Sequence, residues 1–513
     1  MISAAQEIWV SHDHGKKWEQ PETLKGVTIV AMYPHTYHYD RIYFITAGKE
    51  LYYSKDRAKT IHKLEAPSPP NREHLAVLDF HPEHPDWLIW TGQKDCDKAE
   101  TCHSIAYYNL KELEFPEWKG LKSSVKNCKW IRGEQKVYSD KLIFCEQNVP
   151  NPKDSKTPAL RLLASEDFFE SEKAHFEDIV GFAKMAEFIV VASINETDGF
   201  LQPYSSIDGT TFAHAKFPPN FNAPRQTAYT VLDSDTHSVF LHVTVSENEG
   251  HEYGSLMKSN SNGTNFVLSL DAVNRDVLGY VDFEKMHSLE GVALVNRVQN
   301  AETAANGENK QLRTYISHND GGEWKLLDAP EKDSHGKDYG CDTKNPDKCS
   351  LNLHHYTERT DHVRHTFASG SAIALMFGVG NVGSSLTSFA EGNTFMTRDG
   401  GLEWKEVKKG QYLWEYGDQG SIIVIVDRTN PTDTVHFTLD EGATWNDFVF
   451  GEKLHIRDIS TVPSDTSRKF LLWGDTKSDP GKFYTVHLDF SGLTDRQCEF
   501  TLSILESGNR ANQ

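Results

Sequence analysis

The chain predicts an all-β fold, a large β-propeller built on Asp-box hairpins. Three observations predict it. A turn motif recurs along the sequence, the segments between its copies are rich in β-branched and aromatic residues, and sustained helical periodicity is nearly absent.

The motif is an apolar strand followed by Ser/Thr-x-Asp-x-Gly-x-x-Trp. It stands at Ser11–Trp18, Thr397–Trp404 and Thr438–Trp445. Ser317–Trp324 keeps it with Asn319 in place of Asp. Ser205–Phe212 and Ser259–Phe266 are looser copies, and Ser54-Lys55-Asp56 and Ser165-Glu166-Asp167 are eroded ones. Short Ser/Thr and Asp side chains bond the backbone of a tight turn. Gly takes the positive φ the turn needs. The aromatic then opens the next strand and packs inward. Repeats at a spacing of about 40–50 residues mean stacked supersecondary units.

The strand signals lie between the turns. Arg41–Thr46, Phe188–Ser193, Ser238–Val245 and Ser421–Val426 are continuous apolar runs, as expected of strands buried on both faces. Two intervals carry strands without a box, one around Ser104–Tyr108 and one holding Phe470–Gly474 and Phe483–Leu488. Boxes and intervals together make roughly ten units, above the usual four to eight blades, so periodicity by itself does not select that number. The gap between Trp324 and Thr397 holds Cys341 and Cys349 and reads as an insertion within a blade.

At 513 residues the chain exceeds one ordinary domain. A propeller escapes that limit because each blade has its own small core. The net charge of −21 argues against nucleic acid and anionic membranes as partners. No apolar run approaches the length of a membrane span. Met1–Gln6 lacks the basic start and apolar core of a signal peptide. The chain is therefore expected to be either cytosolic or a piece of a secreted or membrane protein. Cysteine usage favours the second. Cys96 lies near Cys102, Cys128 near Cys145 and Cys341 near Cys349, with Cys498 left over. Six cysteines allow 15 pairings, of which the local one is the natural expectation. Asn195-Glu196-Thr197 and Asn262-Gly263-Thr264 are glycosylation sequons. Together these features lean toward a lumenal or extracellular setting.

An ordered set of patterns then narrows the reading. Cys341 and Cys349 lead into Ser350–His354, then Phe377–Gly383, the box ending at Trp404, Gly420–Val424, the box ending at Trp445, and Phe490–Glu499. This order and spacing resemble the lumenal domain of sortilin and the fungal vacuolar protein sorting receptors. The resemblance covers essentially the whole chain and is strongest from Tyr315 to Cys498. It implies a ten-bladed propeller over residues 1–497, with a first blade that starts incomplete. Residues 498–513 would begin a cysteine-rich module or tail, which leaves Cys498 without its partner.

The resemblance also implies a function. The parent would be a membrane-anchored receptor of the Golgi and endosome that carries soluble hydrolase precursors toward the vacuole. This chain would lie on the lumenal side and bind vacuolar hydrolase precursors or other peptide cargo, and a tail outside it would couple to cytosolic adaptors. Ligand-binding positions on inner strands facing a tunnel map onto Tyr229 and Val231, with Val190 and Ala192 on a neighbouring strand. The family's arginine for a peptide carboxylate maps to Leu201 and Gln202, so that clamp is not expected here. An extended peptide could still add to a strand edge.

Catalysis is not expected. A box carboxylate repeated along the chain is a structural device, since an active site needs one constellation. His354, His355, His362 and His365 lack a cysteine or a patterned carboxylate to complete a metal set, so no metal or cofactor is expected. The 24 histidines instead suggest cargo binding that weakens at acidic pH. The competing class is an Asp-box propeller glycoside hydrolase, sialidase-like or glucanase-like. The Arg-Ile-Pro signature of sialidases is absent; a pair of facing carboxylates remains the feature to look for.

Overall fold

The computed structural model describes residues 6–71, 77–96, 102–132, 138–151, 158–185, 187–195, 200–219, 221, 229–234, 238–358, 372–462, 465–476 and 483–493. Strands follow one another in chain order, each antiparallel to its neighbour. Ala31–Pro34, Ile42–Ile45, Glu50–Ser54 and His62–Glu65 form one four-stranded sheet. Leu78–Phe80, Leu88–Lys94, His103–Asn109 and Lys119–Ser123 form the next. Ser350–Leu353, Met376–Gly383, Asn393–Thr397 and Lys405–Lys408 form another.

The longer sheets arise because one strand serves two units. Lys173–Lys184 pairs with Ala159–Ser165 through its first half and with Ile189–Ile194 through its second. Asn446–Ser460 does the same between Thr432–Thr438 and Lys469–Asp475. Register shifts mark the bends, as bulges do. The outer strand of one unit thus runs on into the first strand of the next.

Consecutive units pack face to face. Tyr43 meets Phe80 at 5.2 Å between ring centroids. Asp79 accepts from the Trp130 N–H at 2.7 Å, and the Tyr138 hydroxyl donates to Glu187 O at 2.7 Å. Ser205 Oγ donates to Gly263 O, and Ser269 Oγ to Gly321 O at 2.6 Å. Leu353 N–H donates to Thr314 Oγ1 at 2.8 Å. Phe377 stacks on Trp414, and Arg468 pairs with Asp418 at 2.9 Å.

The last joint closes the circuit. Residues 10–19 fold back through the Val10↔Glu19 bridge, and the resulting hairpin sits on the Lys469–Asp475 and Phe483–Asp489 strands. Trp18 lies 5.2 Å from Trp473. The Trp18 indole N–H donates to Thr485 Oγ1 at 3.4 Å, while Thr485 Oγ1 donates to Gly15 O at 3.3 Å. Trp324, Ser269 and Gly321 repeat this arrangement between two internal units. On its other side, Ile8, Leu24 and Ile29 share a core with Phe44 and Tyr52 of the first sheet. Radial sheets that end where they began make a β-propeller.

The boxes are built alike. Ser11 Oγ donates to Asp13 Oδ1 at 2.9 Å and accepts from Gly15 N–H at 2.7 Å, and Asp13 Oδ1 accepts from Lys17 N–H at 2.9 Å. Thr397/Asp399 and Thr438/Asp440 repeat the pattern. Asn319 serves as well as Asp because only its Oδ1 is used. Both eroded copies close the same turn, at Ser54/Asp56 and Ser165/Asp167. There Ala58 and Phe169 hold φ of +61° and +65° where other boxes have Gly, so the side-chain bonds outweigh a left-handed penalty of about 1–2 kcal/mol. In Ser259–Phe266 the acceptor is Asn260, one position early.

The cysteines form the three local bonds Cys96–Cys102, Cys128–Cys145 and Cys341–Cys349. Cys128 and Cys145 lie directly opposite on paired strands. The Cys341–Cys349 loop corrects the expectation of an insertion within a blade. It joins Lys325–Leu326, the last strand of one sheet, to Ser350–Leu353, the first of the next. Arg313 pins it by donating to Asp347 O and Ser350 Oγ, both at 2.9 Å. The buried Glu406 holds its other end through Ser334 Oγ at 2.8 Å and Lys409 at 2.7 Å. Cys498 and residues 498–513 lie outside the described residues.

Candidate ligand-binding edge

The strand Tyr229–Ser234 is the terminal strand of its sheet and pairs on one side only, with Val239–Ser246. Tyr229 stands opposite Val243, Thr230 opposite His242 and Val231 opposite Leu241, with a register shift before Asp233. Among the described residues no strand pairs with its other side. The side chains of Tyr229 and Val231 lie outside the described structure.

The strand it pairs with is packed into the core. Val239, Leu241 and Val243 are buried with Phe188, Val190, Met257 and Phe266 in one core. His242 is fully buried, and its ring reaches over Gly254 to Val273 O at 3.2 Å. Burial pushes its pKa down to about 3, so it stays neutral from pH 7 to pH 5. Gly254 has to be glycine, because a Cβ there would sit 2.2 Å from Val243 O.

Val190 and Ala192 are not placed as the sequence reading expected. Both lie on Ile189–Ile194, which is paired on both sides and so is not an edge. Val190 is 5% exposed and packs against the residues opposite Tyr229 and Val231. It supports the edge strand and does not line it. Ala192 is half-buried opposite Pro203. Leu201 is buried, and Gln202 accepts from the Tyr204 hydroxyl at 3.4 Å. His354 and His355 are buried, while His362 and His365 lie outside the described residues. Asn262 is exposed at a turn tip; Asn195 is half-buried at a strand end, and Glu196 and Thr197 lie outside the described residues. Among the described residues no group of three or more His, Cys, Asp or Glu is placed to hold a metal ion, and no helix is long and apolar enough to cross a membrane.

The box carboxylates are occupied by their own turns. The Thr60 backbone N–H holds Asp56 down at about 2, and the Thr444 hydroxyl and N–H hold Asp440 down at about 2. Such groups are fixed acceptors, unsuited to the raised pKa of a general acid.

Sequence reasoning missed a second repeated device. His81 Nδ1 accepts from the N–H groups of Glu83 and His84 at 3.2 and 3.1 Å, and its Nε2 meets Asp140 O of the next sheet at 2.9 Å. His35 Nδ1 accepts likewise from Tyr37 and His38, both at 3.2 Å, and its ring stacks on Phe80 of the next sheet at 4.4 Å. The signal was present as His-x-x-His-x-Asp at 35–40 and again at 81–86.

Residues 6–459 match the family model described as Sortilin, neurotensin receptor 3, and residues 461–509 match its C-terminal counterpart. The two matches meet at the strand Asn446–Ser460, whose second half already belongs to the closing sheet. The chain is 50% identical over 519 residues to the Vacuolar protein sorting/targeting protein 10 of Neosartorya fischeri, covering 100% of this chain and 34% of that protein. It is 51% identical over 505 residues to the protein of that name in Aspergillus fumigatus, and 51% over 503 residues to that of Coccidioides posadasii, covering 97% of this chain and 33% of each relative. The chain thus spans about a third of the length of these relatives. The solved GH74 enzyme of Niastella koreensis superposes with a TM-score of 0.33 at 11% identity, over 89% of this chain and 78% of that one, too remote to bear on activity. With the family model matched over most of its length, the chain belongs to the sortilin–Vps10 family.

Proposed function

We propose that this chain is the lumenal ligand-binding part of a sorting receptor that carries soluble hydrolase precursors from the Golgi to the endosome and vacuole, without catalysis of its own. The observation that carries this reading is the 50% identity across the whole chain to proteins named for vacuolar sorting. The one-sided strand Tyr229–Ser234, backed by a packed wall, supports it, because an extended peptide gains main-chain hydrogen bonds on such an edge. In this reading Tyr229 and Val231, which the family resemblance assigns to ligand binding, select cargo side chains. The propeller extends to about residue 497, with residues 498–513 opening a following module, and Asn195 and Asn262 carry glycans in the lumen. Anchoring in the Golgi and endosome membrane and coupling to cytosolic adaptors belong to the parts of the parent outside this chain.

Binding of the purified chain to the precursor of a soluble vacuolar hydrolase, at pH 7 and pH 5, tests the reading. Binding at pH 7 that weakens at pH 5 is expected. Absence of binding at both would remove this chain as the cargo site and reopen the glycoside hydrolase reading.

A further inference from the structure

Radial sheets diverge outward, so a wedge opens between the outer strands of neighbours. Elsewhere an Asp-box turn seats itself on the preceding sheet, as Gly209 does on Leu142 and Gly442 on Met396. The sheet of Leu78–Phe80, Leu88–Lys94, His103–Asn109 and Lys119–Ser123 has no box. Its turn 109–118 is organised by Asn109, which accepts from Glu117 N–H at 2.9 Å and donates to Asp86 O at 3.0 Å. From this turn Leu113 enters the core of the preceding sheet and Trp118 packs against it.

Where the repeat is broken, a groove of about 690 Å³ stays open. Its walls are Leu64, Leu113, Pro116 and Trp118 over Tyr53. Phe115, 82% exposed, stands in the same turn. One side of the groove is the strand His62–Glu65, which among the described residues pairs only with Glu50–Ser54. Ala66 N–H donates inward to Lys49 O. By antiparallel alternation the N–H and C=O groups of Leu64 and His62 also point inward, and those of Lys63 and Glu65 point out. The rim carries Lys49 and Glu65, a charge of each sign with no ion pair described. By contrast Lys63 is paired with Glu50, and Glu114 with Lys55.

We propose that this groove is a second peptide-binding site, on the outer rim, which takes an extended segment by strand addition to His62–Glu65. The bound segment carries apolar side chains at alternate positions, facing the half-buried Pro116 and Trp118. It carries an acidic side chain for Lys49 and a basic one for Glu65. Main-chain bonds to Lys63 and Glu65 supply affinity, and the two walls fix the face that the segment presents. The site is separate from the Tyr229–Ser234 edge and does not depend on it.

The probe is a heptapeptide of alternating valine and threonine with one glutamate and one lysine, capped at both ends so that no terminal charge contributes. Hydrogen exchange of the whole chain is followed as the peptide is added to millimolar concentration. Slowed exchange at the Lys63 and Glu65 amides is expected, with Tyr229–Ser234 unchanged. Lys63→Pro removes an outward N–H from an edge position where proline is tolerated, and should weaken binding by up to ~tenfold, the loss expected of one main-chain bond of up to about 1.4 kcal/mol. Lys49→Glu, which leaves the backbone alone, should weaken it several-fold. Equal binding by wild type and Lys63→Pro, protection confined to Tyr229–Ser234, or no protection at all would overturn the proposal.

Discussion

His81 and His35 make the joints between the first sheets dependent on neutral imidazole. Each Nδ1 accepts two backbone N–H groups, so it has no room for a proton. Burial pushes both down from the ordinary 6.5 to about 4, helped for His81 by His84 and Arg132 and for His35 by His38 and Arg41. His242 is held at about 3 by burial. All three have folded pKa values below their unfolded ones. Acidification therefore protonates the unfolded chain first, and stability falls as pH drops from 6.5 toward 4. At pH 5 each histidine removes about 2 kcal/mol, about 6 kcal/mol for the three together. Asp79, whose carboxyl burial raises to about 6, runs the other way and returns about 1 kcal/mol. The box carboxylates barely enter this window: their stabilisation is lost only as pH falls from their ordinary 3.8 toward about 2. Urea unfolding at pH 7 and pH 5 reads these together with His175, which burial likewise lowers to about 4. His81→Asn, whose Oδ1 can accept the same N–H groups, should lose about 2 kcal/mol less than wild type between those pH values. An identical loss in both proteins would refute the argument that His81 must stay neutral.

Other outcomes follow from single positions. Gly15→Ala should destabilise by about 2–4 kcal/mol in thermal unfolding, because its Cβ would lie 2.4 Å from Leu471 Cδ1 at a φ of +85°. Asp13→Asn should be nearly neutral, since Asp13 uses only its Oδ1 in the turn, as Asn319 does, whereas Asp13→Ala should destabilise by the ordinary cost of a lost cap. Replacing Cys128 and Cys145 together by serine should cost about 2–5 kcal/mol in urea unfolding without changing the pairing of their strands.

What was legible in the sequence was local. A box is seven residues bonding their own backbone, so Ser11–Trp18 and its copies could be read directly, even where Ala58 or Phe169 replaces glycine. The three disulfides link cysteines at most 17 residues apart, and adjacency was sufficient to expect them. What failed was global placement. Strand alternation gives the face of Val190 but not its rank in the sheet. That rank is set where Lys173–Lys184 crosses from one unit to the next, and no sequence break marks the crossing. The same cause misplaced the Cys341–Cys349 loop, because a joint between sheets and an insertion within one look alike as polar sequence. The His-x-x-His-x-Asp turns were readable as a repeat, but histidine spacing drew attention to metal and not to a ring nitrogen accepting backbone hydrogen bonds.

The central claim is that cargo adds to the open edge of Tyr229–Ser234 inside a closed ring. Hydrogen exchange with and without a soluble vacuolar hydrolase precursor at pH 7 tests it most directly. The account predicts slowed exchange within residues 229–234, lost in a Val231→Pro variant that still unfolds cooperatively. Binding that leaves those amides unchanged, or that Val231→Pro does not weaken, would contradict it.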